Sequence, residues 1–418
     1  MAQLSDDCFA FGGELMNSAA ALALLKDKIA PVTEAERVPL KQAVGRILAE
    51  KLVATRDVPP ADNVAVDGYA VRFADLVPGG ETILPIAGRA AAGHPLRGEA
   101  PAQSAIRVFT GALLPQGTDT VLMQEDCKVE HGQVTIPAGI KRGANCREAG
   151  EDIKAGTAVL AAGRRLRAQE IGLAASLGLT SLSVYRPLRV ALFSTGDELR
   201  EPGDALALGA IYDANRYTLQ ALLQGLGAQI SDLGILVDKP ETMRAALAEA
   251  AQHHDLVLTS GGMSTGEEDH VKGAIEALGK LHFWRLAIKP GRPVAMGQIG
   301  RVPFVGLPGN PVAVMVTFFL LARPLMLLLA GADDPGPKLY RVRAGFDYKK
   351  RPNRTEYVRA RLVRDGEGGW IAEKFARDGA GILTSMVESD GLAEIAEGVT
   401  KLEPGMAVDF LPFSEVIP

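Results

Sequence analysis

The chain has 418 residues, and at roughly 150 residues per domain that length predicts about three domains. Hydrophobic residues make up 47% of it, enough to bury several cores and too many for a disordered chain. Forty-five Lys+Arg against 50 Asp+Glu leave a net charge of −5, which excludes the basic footprint of a non-specific nucleic-acid binder.

Met1 to Ala10 carries Asp6 and Asp7 and no basic residue, the wrong sign for a signal-peptide n-region. Leu/Ala spacing predicts a helix over Glu14–Lys28, and a second, shorter helix is expected over Val38–Leu52. From Val53 to Cys146 the texture changes to short β-like runs, such as Ile106–Thr110 and Gln133–Ile136, densely punctuated by Gly and Pro. Helical texture returns at Ala168–Leu177. The β-rich stretch therefore reads as an insertion into an elongated helical region.

From Pro187 apolar and helical segments alternate. Leu188–Phe193, Gln229–Leu236, Asp255–Thr259 and Phe283–Ile288 read as buried strands. Asn215–Leu226, Pro240–His253 and His270–Leu278 read as the helices between them, a pattern that argues for a parallel sheet covered on both faces. The run Ala313–Ala330 is the one membrane temptation. Arg323 near its middle would cost about 2.5–3.5 kcal/mol on insertion scales, and Asn310-Pro311 looks like the cap and first residue of a soluble helix. A buried helix is expected, no membrane contact, and a cytoplasmic location. After the linker Asp333–Pro337, Tyr357–Val363 alternates with period two and short strands follow around Trp370, Leu392 and Met406, so the terminal module is all-β. The expected division is an elongated helical domain (1–52 and 147–183), an inserted β-rich module (53–146), an α/β domain (184–331) and a terminal β module (332–418).

Ligands of open parallel sheets bind at the carboxyl ends of the strands, and here each such end leads into a loop rich in Gly, hydroxyl or charge. These loops are Ser194–Leu199, Asp238-Lys239-Pro240, Ser260–Asp269, Lys289–Pro293 and Gly306–Pro311. Ser260, Gly261, Gly262, Ser264 and Gly266 precede a predicted helix, an arrangement that either cradles a phosphate or is only a glycine-rich turn. Lys289 and Arg292 on the next loop favour the anion. Glu198, Asp238 and Asp269 follow three different strands, and acids beside a phosphate loop suit a bridging Mg²⁺. Helix capping by Asp238 and Asp269, with Glu198 in solvent, explains them equally simply. Asp67-Gly68 and Thr110-Gly111 in the inserted module read first as turns. Three scattered cysteines (Cys8, Cys127, Cys146) suit a reducing compartment, and none of the six histidines pairs with one at zinc spacing.

Taken together, six segments resemble the molybdopterin molybdenumtransferase family, the MoeA type that includes the E-domain half of gephyrin. They are Asn63–Ala70, Arg107–Ala112, Phe193–Leu199, Ser260–Asp269, Ala287–Pro293 and Gly306–Val312. They occur in the family's order and span most of the chain. The resemblance implies a multidomain α/β plus β fold: a central parallel α/β domain, a helical elongated domain with an inserted β-rich module, and a C-terminal β-barrel. It implies a homodimer whose active site joins the α/β domain of one subunit to the inserted module of the other. The implied reaction converts adenylylated molybdopterin and molybdate into molybdenum cofactor and AMP with Mg²⁺, and contact with the molybdopterin adenylyltransferase is a further expectation.

On that resemblance Asp67 and Thr110 match positions tied to activity. Glu198, Asp238 and Asp269 would hold Mg²⁺ or polarise water, and the Ser260–Gly266 loop would hold the pterin phosphate. Pro308, Gly309 and Asn310 would line the substrate. Arg285, Lys289, Arg292 and Arg359 would attract molybdate, because a tetrahedral oxyanion needs cationic donors. The chain departs from the family at Val64 and Val66, where Ser and Met are common, and at Ala380, where relatives carry a serine hydroxyl. Thr384 or Ser385 would have to replace that hydroxyl, or the anion rests on Arg359 and lysine. Two rival readings are another enzyme of the same α/β fold, and a gephyrin-like scaffold. The Asp67 and Thr110 segments oppose the first, and a scaffold has no need of the three acids.

Overall fold

The computed structural model describes residue 9 and residues 15–237, 239–261, 270–291, 293–366 and 368–417. The chain forms two compact units: residues 1–50, 162–167 and 181–418, and residues 51–161 with 168–180.

The first unit is built on a seven-stranded sheet. Its strands are β1 (Leu15–Met16), β2 (Arg189–Ser194), β3 (Gln229–Ile235), β4 (Leu256–Ser260), β5 (Gly279–Leu286), β6 (Pro293–Ile299) and β7 (Val302–Leu307). Its helices are α1 (Ser18–Lys28), α2 (Ala214–Gly225), α3 (Pro240–His253), α4 (His270–Leu278) and α5 (Pro311–Leu329). The spatial order is β1-β5-β6-β7-β4-β2-β3. β4 is buried at every position, as expected for an apolar run covered on both faces. β3 instead lies at the sheet edge and is only half-buried.

The sheet is not wholly parallel, because β6 runs against both its neighbours. The Gly300-Arg301 link is too short for a crossover and forces β6 and β7 into an antiparallel hairpin. Neither strand is apparent in the sequence, where Gly and Pro on both sides suggest loop.

The expected helix over Val38–Leu52 does not form. Ala35–Pro39 pairs antiparallel with Ser181–Tyr185, followed by one 3₁₀ turn at Leu40–Gln42. Pro39 sits at ψ 149°, outside the helical region, and Gly45 at φ +79°. Strand pairing overrides a weak local propensity there. α1 begins at Ser18 rather than Glu14, because Asn17 caps it by accepting from the Ala20 N–H at 2.8 Å.

α5 carries Asn310 at its N-cap and Pro311 at the first turn, without a side-chain capping bond. It is long and apolar enough to cross a membrane, yet 94% of its most apolar window is buried inside the protein. Phe318, Phe319 and Leu325 pack there with Leu25 of α1 and Leu219 of α2. A π turn at Phe318–Ala322 precedes Arg323, whose guanidinium donates to the Pro335 and Glu415 carbonyls, both at 3.0 Å.

The terminal strands β8 (Tyr340–Ala344), β9 (Thr355–Arg364), β10 (Trp370–Lys374), β11 (Gly391–Ile395) and β12 (Ala407–Pro412) close into a five-stranded barrel, the order β9-β10-β8-β12-β11 returning to β9. This is the barrel the family resemblance implies. The period-two alternation seen in Tyr357–Val363 gives way to continuous burial over Thr355–Ala360, because both faces of that part of β9 are covered.

The second unit is β-rich, as its texture suggests. A six-stranded sheet orders Thr120–Met123, Gly68–Val71, Ala105–Val108, Thr82–Ala90, Gln133–Ile136 and Lys128–Glu130. Val64, Ala70, Ile106, Val108 and Val121 form one of its cores. Ala168–Ser176 is helical, as its sequence predicts.

Candidate active site

In the first unit, the carboxyl ends of β2, β4 and β7 open on a cleft of about 710 Å³ whose other wall is the barrel. Glu198 comes from the loop after β2, Gly261 follows β4, and Pro308, Gly309 and Asn310 follow β7. Lys289 comes from the loop after β5, and Arg354, Glu356, Arg359 and Ala380 from the barrel.

Asn215, in the first turn of α2, ties two of these loops together. Its side-chain amide donates to Ser260 Oγ at 2.9 Å and to the Gly309 carbonyl at 2.7 Å. Ser260 Oγ in turn donates to the Pro308 carbonyl at 3.3 Å. Ser260 is 2% exposed, so its hydroxyl holds the loops together from behind the cleft surface. Gly196 allows the Glu198 carboxylate to lie against the backbone, since a methyl group on Gly196 would sit 2.7 Å from Oε2. Gly291 has φ +101°, and an added methyl would meet Thr317 Cγ2 of α5 at 2.5 Å. The Lys289–Gly291 turn can approach α5 only because this residue is glycine.

The cationic wall is organised by a buried acid. Glu356 Oε2 accepts from Lys289 Nζ at 3.2 Å and Tyr348 OH at 2.7 Å, and Oε1 accepts from Arg354 Nε at 2.7 Å. Burial pushes its carboxyl up, but hydrogen bonds from Tyr348, Arg354 and Lys289 outweigh burial and hold it below the usual value. Arg359 donates through Nε to Ser385 Oγ at 3.0 Å and through Nη2 to the Gly379 carbonyl at 3.1 Å. Burial lowers its pKa. The Ala380 carbonyl accepts from the Val312 N–H at 2.9 Å, which joins the barrel loop to the start of α5.

In the second unit Asp67 and Thr110 meet. Asp67 Oδ1 accepts from the Thr110 N–H at 2.9 Å and from Thr110 Oγ1 at 2.8 Å. These bonds, the backbone one first, hold its carboxyl below the ordinary value. Arg107 stacks 5.0 Å from the Tyr69 ring and 4.7 Å from the Phe109 ring.

Of the residues singled out in the sequence, Glu198, Gly261, Lys289, Pro308, Gly309, Asn310 and Arg359 line the cleft, with Ser260 directly behind it. Arg285 is exposed on β5 and is not among the lining residues. Asp238, Gly262, Ser264, Gly266, Asp269 and Arg292 lie outside the described residues. The N-cap position of α3 is Lys239. Sequence reading passed over Asn215, Tyr348, Arg354 and Glu356. The available signal was a charged residue inside a strand that turns out to be continuously buried.

Three family descriptions match successive parts of the chain. They are the MoeA N-terminal region (domain I and II) over residues 16–178, the probable molybdopterin binding domain over 191–327, and the MoeA C-terminal region (domain IV) over 341–413. A molybdopterin molybdenumtransferase of Haemophilus influenzae is 38% identical over 92% of this chain and 95% of its own length. The chain belongs to the molybdopterin molybdenumtransferase family. Membership makes it a transferase of molybdenum cofactor biosynthesis. Another family member, from Nostoc, is 34% identical over 92% of this chain and 90% of its own length. A crystal structure of the molybdopterin biosynthesis MoeA protein of Pyrococcus horikoshii superposes with a TM-score of 0.81 at 29% identity, covering 96% of this chain and 100% of that one.

Proposed function

We propose that the chain inserts molybdate into adenylylated molybdopterin and hydrolyses the adenylate, releasing AMP and molybdenum cofactor. The observation that carries this reading is the cleft itself. It sets the glycine-rich ends of β4 and β7 opposite Lys289 and Arg359, donors suited to a pterin phosphate on one side and a tetrahedral oxyanion on the other. In the hydrolytic half-reaction water attacks a phosphorus of the phosphoanhydride, the bridging P–O bond breaks, and AMP leaves with that bond's electron pair. In the second half the two pterin sulfurs bond to molybdenum while one oxo ligand of molybdate takes up the two thiol protons and leaves as water, so molybdenum stays hexavalent.

The donor chemistry suits magnesium. Glu198 lines the cleft, and carboxylate oxygens are the ligands this hard cation takes alongside substrate phosphates. Among the described residues no group of three acid, histidine or cysteine side chains gathers to hold a metal. The magnesium assignment therefore needs Asp238 and Asp269 beside Glu198. When bound, Mg²⁺ would supply charge neutralisation at the phosphates. The protein's own part is to fix the phosphate at the Ser260–Gly266 loop and to present cations to molybdate. Asp67 and Thr110 act, on this reading, in a homodimer in which the inserted module of one subunit completes the site of the other. A cytoplasmic location, contact with the adenylyltransferase and the four-module division at 52/53, 146/147, 183/184 and 331/332 belong to the same proposal.

Incubating the purified protein with adenylylated molybdopterin, Mg²⁺ and molybdate should yield AMP and molybdenum cofactor. Failure of both products would overturn the reading. Asp269→Asn should suppress AMP release while the protein remains folded, and unchanged turnover would remove Asp269 from the catalytic set.

A further inference from the structure

Two cations of the cleft, Lys289 and Arg354, share one acid, and that residue has no part in the reading above. Glu356 is 2% exposed, a costly place for a carboxylate unless donors surround it. Tyr348, Lys289 and Arg354 surround it, and Arg354 also reaches Oε1 through Nη2 at 2.6 Å. Backbone pairing fixes this geometry. Ile288–Lys289 runs parallel to Thr355–Glu356, and the Thr355 N–H donates to the Ala287 carbonyl at 2.7 Å. The acid thus sits where the α/β loop and the barrel meet.

We propose that Glu356 is a positioning residue that sets Lys289 and Arg354 side by side in the cleft wall, and that Arg354 is a further binding residue for the substrate's tetrahedral oxyanion. Two cations this close repel each other, and a shared buried carboxylate offsets that repulsion while fixing both head groups. Each cation keeps donors for a ligand. An ammonium has three N–H groups and a guanidinium five, and only some of them point at Glu356. The Lys289 side chain is 53% exposed and that of Arg354 20%, so both remain reachable from the cleft. A tetrahedral dianion entering between them meets pre-oriented donors and pays no ordering cost for two long side chains. Arg359, locked by Ser385 and the Gly379 carbonyl, supplies a third cation on the same wall.

This inference rests on the molybdate reading, and the experiment separates the two. Equilibrium binding of molybdate, with sulfate as a second tetrahedral probe, is measured on wild type, E356Q, E356D and R354Q beside AMP-release kinetics and thermal unfolding. In folded E356Q the KM for molybdate should rise about tenfold, with kcat at saturating molybdate within about twofold. E356D, which retains the charge, should recover most of the affinity. R354Q should weaken molybdate binding to a similar extent, and it tests the proposal even if E356Q does not fold. A wild-type chain that neither binds molybdate nor turns over overturns the proposed function and this inference together. Normal wild-type behaviour, with molybdate bound as tightly by E356Q or R354Q, overturns this inference alone.

Discussion

At the scale of single residues, Ala380 is one of the positions where the family resemblance leads to the expectation of a hydroxyl, and the structure shows what stands around it. Ala380 lines the cleft. Neither of the two nearby hydroxyls replaces a serine there. Thr384 is exposed and does not line the cleft. Ser385 is fully buried, accepts from Arg359 Nε at 3.0 Å and donates its own O–H to the Ile382 carbonyl at 2.6 Å. Ser385 therefore orients Arg359 and offers nothing to a ligand. Ala380→Ser should add one hydrogen bond to bound molybdate, worth about 0.5–1.5 kcal/mol, and lower its KM about two- to tenfold. Steady-state kinetics with varied molybdate checks this, and an unchanged KM would mean that position 380 does not face the anion.

At the scale of elements, the first turn of α2 is the latch between the β4 and β7 loops. Asp213 caps this helix by accepting from the Arg216 N–H at 3.1 Å, and Asn215 then reaches both Ser260 and Gly309. Asn215→Ala should release the two loops from each other. Misplacement on the order of 1 Å costs up to about a hundredfold in rate, so AMP release at saturating molybdate should fall between about ten- and a hundredfold. Asn215→Asp has no N–H to donate to either the Ser260 hydroxyl or the Gly309 carbonyl, so it should not restore the rate. Wild-type turnover in Asn215→Ala would sink the latch. The latch was illegible in the sequence because it depends on three segments far apart in the chain. What could be read were features set by local pattern: the buried strands β2 and β4, helices α1 to α4, and the loops following each strand. The β6–β7 hairpin, the Ala35–Pro39 strand and the Glu356 cluster could not be read, because long-range pairing creates them. Lys289 and Arg359 could be named from motifs, whereas Glu356, the acid that holds Lys289, carries no local signal beyond being a charge in a strand.

At the scale of the whole molecule, the sheet of the first unit puts the candidate cleft at one end and a structural charge cluster at the other. Asp255 stands at the amino end of β4, opposite the cleft, and is 4% exposed. It accepts from Arg186 Nη1 at 2.6 Å and Nη2 at 2.9 Å, and from the Arg189 N–H at 2.9 Å and Nη2 at 2.8 Å. Burial raises its pKa, but the bonds from Arg186 and Arg189 dominate and bring it down to about 2. A carboxyl whose folded pKa lies below its unfolded value, about 3.9, stabilises the fold fully above that unfolded value. The contribution is lost as the pH falls from about 4 towards 2. At about 1.4 kcal/mol per pKa unit, the full difference is worth about 2.6 kcal/mol, of which about 2 kcal/mol is gone by pH 2. Urea unfolding between pH 5 and pH 2 should therefore show wild type losing about 2 kcal/mol more than Asp255→Asn over that window. At pH 7 the variant should be less stable, because two arginines lose their shared carboxylate, while its KM for molybdate stays at the wild-type value. Equal acid sensitivity in the two proteins would deny Asp255 this role. A shifted KM in a folded variant would show that the two ends of the sheet are coupled.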